Sequence, residues 1–253
     1  MGRGRGDPHR TSAGSRIPTV GLDYFYIDDE SVKKREDLDY DEDQAGETAL
    51  EDEPAAGNLV KCMVVRCAST KCLFGHVMPR KGADEEDLSA NLVVDDVSWL
   101  GHAELMFNGD NEPALQALIA RSLAVIRFKA GHVDKINTER PPAYDSQSNG
   151  AMEVCVMLIR GLFRTLRLCL EARSGKRIPA GHAMIPWFLE HTCFLLNIKS
   201  RGSDGHTAWA RARGRPFGQK MLGIGEGVLY KLPSKGPQSA ANMSARWADA
   251  VFL

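Results

Sequence analysis

Three acidic residues stand where acids need a reason. Asp23 interrupts the run from Thr19 to Asp28 (TVGLDYFYID), whose β-branched and aromatic content predicts a strand. With alternation along the strand, Gly21, Phe25 and Ile27 share its face, while Val20, Leu22, Tyr24 and Tyr26 take the other. A strand apolar on both faces belongs inside its sheet, where an ionised carboxylate is costly unless paired or bound to a metal. The plainer alternative is that Asp23 marks an exposed strand end. Asp110 falls in FNGDNEP, at a strand-to-helix junction. An acid there can cap the helix, and the same junction is where α/β proteins gather ligand-binding groups. Glu153 opens the longest helical pattern, directly after Ser148-Asn149-Gly150. A first-turn acid favours the helix dipole. Yet Arg160, Arg164 and Arg167 follow on the same helical face. That stripe is either a solvated polar face or a phosphate-binding track led by a functional carboxylate.

One acid on a first strand, one after a later strand and one at a helix start can converge on a divalent cation. Hard ions such as Mg²⁺ or Mn²⁺ take oxygen ligands. Two of them roughly 3.5–4 Å apart would serve the attacking and leaving oxygens of a phosphodiester displacement.

The elements that must position these acids can be read in outline. Asn58–Cys67 and Lys71–Met78 are apolar runs joined by Ala68-Ser69-Thr70, a hairpin. Asp84–Trp99, Glu112–Leu123, Met152–Glu171 and Met184–Ile198 have helical spacing. Glu104–Phe107 and Ala124–Ala130 are expected as strands, and Thr138–Gly150 as a loop rich in Pro, Ser, Asn and Gly. Strands first and β-α alternation after them predict an α/β domain with a mixed sheet and helices packed against it. Residues 1–17 form a Gly/Arg-rich arm expected to be disordered, residues 18–200 the core, and residues 201–253 an irregular basic C-terminal extension, expected to be truncated.

The formal net charge of −1 over 253 residues weighs against a nucleic-acid partner only when taken whole. Residues 28–53 carry thirteen acids against Lys33, Lys34 and Arg35, and read as an acidic loop insert over 28–57. Residues 160–220 carry twelve Lys and Arg against Glu171, Glu190 and Asp204. A near-neutral total thus hides an acidic insert and a basic second half. The six Cys show no CxxC and no Cys/His pairing, which sets aside a zinc module and a disulfide framework. No apolar run reaches the ~18 residues of a membrane span, and no secretory h-region follows Met1. Arg213-Gly-Arg-Pro216 has the form of an AT-hook core, but a connecting loop is the preferred reading.

GLDYFYID, FNGDNEPALQAL and AYDSQSNGAMEVCV, with HTAWARARGRPF, GIGEGVLYKLP and SARWADAVFL further on, resemble the catalytic core of retroviral and LTR-retrotransposon integrases, the Asp-Asp-Glu polynucleotidyl transferases. The resemblance spans about Pro18 to Leu253 and is most specific around Glu153. It implies an RNase H-like fold with a five-stranded sheet, three strands antiparallel and then two parallel, flanked by helices. It implies trimming of a DNA 3′ end followed by strand transfer into target DNA, with Asp23, Asp110 and Glu153 as catalytic and metal-holding residues. Ser148, Asn149 and Gly150 would form a mobile loop bordering the site. Arg160, Arg164 and Arg167 are assigned to DNA phosphates on helical phase alone. The implied cofactor is Mg²⁺ or Mn²⁺, two ions with DNA bound. The implied partners are element-end and target DNA, further copies of the chain and, in a polyprotein, a reverse transcriptase. No membrane partner is expected, and the place of action is nuclear, otherwise cytoplasmic. The departures are the acidic insert, a longer spacing between Asp110 and Glu153, and no zinc-binding segment before Pro18. Two other readings remain: a domesticated, inactive DNA-binding or assembly module, and an RNase H-type ribonuclease.

Overall fold

The computed structural model describes residues 17–30, 32–34, 59–129, 135–139, 146–233 and 245–252. The Gly/Arg-rich arm, apart from Ile17, and most of the acidic insert lie outside the described residues. Thr19–Ile27 is β1, Val32–Lys34 β2, Val60–Cys67 β3 and Leu73–Val77 β4. Leu88–Leu100 is α1, Glu104–Gly109 β5, Pro113–Lys129 α2 and Lys135–Glu139 β6. Ser146–Ser174 is α3, Ile185–Lys199 α4 and Ala208–Arg213 α5, followed by β7 (Gly227–Lys231) and β8 (Trp247–Val251).

The main sheet runs β4-β3-β1-β5-β6, with β2 also paired to β1. β3 is antiparallel to both β4 and β1, β5 lies parallel to β1, and β6 parallel to β5. The sheet holds six strands rather than the expected five. The extra one is β2, three residues at the head of the acidic insert that continue the chain reversal after Ile27. A tripeptide has no periodicity of its own, so only pairing reveals it.

Of the strand expected at Ala124–Ala130, the described part, Ala124–Lys129, is instead the last turns of α2. Leu115, Leu118, Ile119, Val125 and Ile126 are all buried at helical spacing, and α2 packs against α1. Burial of that stripe outweighs the weak β preference of Ala-Val-Ile. The strand comes later, at Lys135–Glu139. The C-terminal region is likewise more ordered than expected, with helix α5 and the antiparallel pair β7-β8. That pair is anchored to α3, where Arg173 Nη1 donates to the Ile224 carbonyl at 2.7 Å and Ile224 is buried near Leu170.

β1 is apolar on both faces because helices cover both. Val20, Leu22 and Tyr24 join Met63 and Val65 under α1 and α2. Phe25 and Ile27 join Cys62 and Val64 under α3 and α4. At the sheet edge α5 is clamped by rings. Trp209 meets Trp99, Phe194 and Phe217 edge to face, and the Arg213 guanidinium lies 3.9 Å from the Trp99 ring centre. Arg213 is therefore spent on packing and is the last residue of α5, where a connecting loop was expected.

His76 of β4 and Asp96 of α1 form a buried pair, Nε2 to Oδ2 2.8 Å. Burial alone would hold His76 neutral, but Asp96 and Glu190 outweigh it and lift it to about 9. Burial raises Asp96 to about 6 while His76 draws it down, so both are charged at neutral pH. A histidine raised above its ordinary 6.5 contributes stability that is complete below that value and lost as pH passes 9. The melting temperature is expected to fall between pH 7 and 9.5, and this loss should be absent from a His76→Leu/Asp96→Leu protein. Thermal melts over that range decide it; parallel curves for the two proteins would refute the assignment.

Candidate active site

β1 carries Asp23 through the centre of the sheet and continues four residues beyond it to Ile27, so Asp23 is not a strand end. β3 pairs with β1 along Val20–Ile27. On the other side β5 pairs only as far as Leu22↔Gly109, and β2 takes over from Phe25↔Lys34. Asp23 and Tyr24 therefore sit at a split, where one neighbouring strand has ended and the next has not begun. Asp110 is the residue directly after β5, so continuing the parallel register by one step sets it beside Asp23. Each carboxylate holds the backbone locally: Asp23 Oδ1 accepts from Tyr24 N–H at 2.8 Å, and Asp110 Oδ1 from Asn111 N–H at 2.7 Å. Asp23 is half-buried and Asp110 exposed.

Gly109 makes the approach of α2 to this corner possible. A Cβ there would stand 2.8 Å from Ile119 Cδ1 and 3.0 Å from Leu115 Cδ2. Gly109→Ala is expected to cost about 1–3 kcal/mol by overpacking and to displace Asp110. Urea unfolding reads the first effect; an unchanged midpoint would show that the helix yields freely. Neighbouring Glu112 is engaged by Lys81, Nζ to Oε1 3.2 Å, and Gln116 Nε2 donates to the Asp110 carbonyl at 2.8 Å. Neither partner of this corner was evident from sequence, since both contacts depend on how the 79–82 turn and α2 fold back.

The third acid arrives on α3. Met152 lies over Gly21, where a Cβ would meet its sulfur at 3.0 Å. Gly21 is two residues before Asp23 and on the same face, so α3 crosses above the acid-bearing strand at Met152. Glu153 follows Met152 and is exposed. Cys155 carries the electrostatic signature of this junction: burial raises its thiol pKa, Arg66 and Lys71 draw it down, and Asp23 raises it. The helix starts earlier than expected. Ser148, Asn149 and Gly150 belong to the first turns of α3, where they were expected to form a loop. A Ser-Asn-Gly sequence has turn chemistry, but the backbone here continues the long helix.

Arg160, Arg164 and Arg167 are brought together away from the acids, in a cleft of about 300 Å³ with Arg177, Asp29 and Glu30. Arg167 is roughly 21 Å along the helix from Glu153. Its guanidinium donates to Glu171 Oε1 at 3.1 Å and to the Asp29 carbonyl at 2.8 Å, tying α3 to the end of β1.

Among the described residues, no three His, Cys, Asp or Glu side chains form a group able to hold an ion. Asp23 and Asp110 lie one register step beyond the last β1-β5 pair, and Glu153 is on α3 directly after Met152, which covers Gly21. Their chemistry nevertheless fits a hard cation. Mg²⁺ commonly takes one or two carboxylates and completes its shell with water and substrate phosphates.

The fold is α/β, a mixed sheet covered by helices on both faces. No family model matches the chain, and no curated protein matches it. Solved structures similar to it include integrase catalytic cores and an intasome. The HTLV-2 integrase catalytic core domain in complex with magnesium (trimeric form) aligns at 15% identity and TM-score 0.48, over 79% of this chain and 100% of that one. Its dimeric form aligns at 13% and 0.44, over 77% and 94%. A chain of the simian T-cell lymphotropic virus intasome in complex with PP2A regulatory subunit B56 gamma aligns at 14% and 0.49, over 92% of this chain and 66% of that one. No helix among the described residues is long and apolar enough to cross a membrane.

Proposed function

We propose that this chain is the catalytic core of a metal-dependent polynucleotidyl transferase of the integrase type. In this reading it trims a DNA 3′ end and joins the new 3′-hydroxyl to a target phosphodiester. The observation that carries the reading is the split in the sheet: Asp23 on β1 and Asp110 directly after the parallel β5, one register step beyond Leu22↔Gly109, with α3 crossing overhead at Met152.

Asp23 and Asp110 would hold Mg²⁺ or Mn²⁺, with Glu153 completing the set when substrate draws the start of α3 inward. Bound there, the ions supply charge stabilisation at the attacking and leaving oxygens. The chain's own residues do the positioning. β1 and β5 fix the two aspartates relative to each other, because a parallel ladder leaves little freedom at its last pair. Met152 on Gly21 fixes the height of α3 above them. In trimming, water attacks the phosphodiester and the 3′ oxygen of the retained strand leaves as a hydroxyl. In transfer, that hydroxyl attacks a target phosphate and displaces the target strand's own 3′ oxygen. The proposal includes double-stranded DNA as partner, assembly of several copies, and access to the nucleus when acting.

The test is a gel assay of end-labelled duplex DNA with Mn²⁺ or Mg²⁺ titrated in. Metal-dependent nicking or end-trimming supports the reading. Duplex binding with no cleavage at any metal concentration would replace it with an inactive DNA-binding module, and cleavage of RNA–DNA hybrid alone would point to a ribonuclease.

A further inference from the structure

A second cleft, of about 440 Å³, is bordered by Val154, Cys155 and Leu158 of α3. Arg66 of β3, Lys71 of the hairpin turn, Arg201 after α4 and Arg211 of α5 all line it. Its one acid among the described lining residues is Asp204, and that charge is spent on Arg211: Nε to Oδ2 is 2.9 Å and Nη2 to Oδ1 is 2.5 Å. Arg211 Nη1 also donates to the Thr70 carbonyl at 3.4 Å. Gly202 allows this arrangement, since a Cβ there would collide with the Arg211 guanidinium. No side-chain hydrogen bond or ion pair among the described residues engages Arg66, Lys71 or Arg201. Three uncommitted cations thus converge on one cleft around a fourth that is fixed in place.

The cleft adjoins the candidate active site. Val154 and Cys155, which line it, directly follow Glu153. Arg66 pairs across the ladder with Gly21, on the sheet face that carries Asp23. Lys71 sits at φ 65°, the left-handed region that residues with a Cβ avoid and that concentrates at functional sites. Burial lowers its ammonium pKa, and Arg66 and Arg211 lower it further, a crowding of like charge that a bound anion would relieve.

We propose that the Arg66–Lys71–Arg201–Arg211 cleft is a phosphodiester subsite, holding the backbone of the nucleic-acid strand that runs past the three carboxylates. It rests on the nucleic-acid reading above. The ligand chemistry is a chain of phosphate monoanions rather than a base: arginine forks and a lysine point charge recognise phosphate oxygens without regard to sequence. It also differs from the α3 stripe, whose Arg167 is held by Glu171 and the Asp29 carbonyl.

The experiment is equilibrium binding of a fluorescein-labelled, random-sequence duplex to the full chain without metal, over a salt series. Lys71→Gly removes the ammonium and suits the left-handed backbone. Arg201→Gln changes an exposed residue. Each is expected to flatten the slope of log affinity against log salt by about 0.9, and the double variant to bind roughly tenfold more weakly at low salt. Melting temperatures should stay within about two degrees of the parent's, so that a lost fold is not read as a lost site. Unchanged affinity and slope in the double variant would overturn the subsite. So would a stabilising shift by inorganic phosphate that Lys71→Gly abolishes while duplex binding is untouched, since that describes a small-anion site. Because no metal is present, the subsite stands or falls on binding alone. The catalytic reading fails separately, if the parent binds duplex but never cleaves it.

Discussion

Asp23→Asn and Glu153→Gln are each expected to lower metal-dependent end-trimming by about three orders of magnitude or more, with DNA affinity in the absence of metal unchanged. The magnitude follows from the charge stabilisation a metal ion supplies, several kcal/mol, at about 1.36 kcal/mol per tenfold in rate. Both changes keep the side chain's size and its capacity to accept a hydrogen bond. In the Asp23→Asn protein the side-chain amide oxygen can still take the Tyr24 N–H that Asp23 Oδ1 takes at 2.8 Å. Melting should therefore move little, and for exposed Glu153 hardly at all. The diagnostic measurement is metal affinity, read by calorimetry on the protein–DNA complex: it should weaken in step with the rate. A Glu153→Gln protein that trims DNA at the parental rate would falsify the assignment of the third acid, leaving Asp23 and Asp110 to be tested alone.

The largest effect on stability is expected from Asp96→Ala, at about 3 kcal/mol, because it leaves the buried His76 ring, which burial then holds neutral, without its principal hydrogen-bond partner. His76 is 9% exposed and Asp96 5%, so water cannot replace what is lost. Glu190, 3.8 Å from His76 Nδ1 and largely exposed, offsets little. Replacing both His76 and Asp96 by leucine should cost far less than Asp96→Ala, since paired removal of buried charges is often close to neutral. Urea midpoints for the two proteins make the comparison. Equal losses would mean that the cost lies in the cavity and not in the orphaned ring of His76.

Local pattern carried much of the architecture. The alternation in TVGLDYFYID placed β1 with both faces buried, and Val20, Leu22 and Tyr24 do pack opposite Phe25 and Ile27. The hairpin at 60–77 and the helices containing Leu88–Leu100, Met152–Glu171 and Ile185–Ile198 were legible for the same reason: period and apolar content are properties of short stretches. Where the pattern was ambiguous the reading failed. Ala124–Lys129 is β-branched enough to pass for a strand, and only the burial of Val125 and Ile126 beside α1 makes it helix. Ser148-Asn149-Gly150 has turn residues, yet it is drawn into α3.

The candidate acids show the same division. Sequence by itself placed Asp23 in a strand and Asp110 at a strand-to-helix junction, because each is defined by its immediate neighbours. It expected Glu153 to open a helix that in fact begins seven residues earlier, at Ser146. It could not determine that β5 stops at Gly109 while β1 runs on, opening a split at Asp23, because register is a relation between segments more than eighty residues apart. Nor could it single out Arg66, Lys71, Arg201 and Arg211 from the other cations, or pair His76 with Asp96. The net charge of −1 shows why. Composition adds charges without regard to place, whereas a phosphate or a metal responds to those within a few ångströms. The chain's residue types set what chemistry was available, and the tertiary fold decided which charges meet, because Coulomb energy falls with distance in space and not along the sequence.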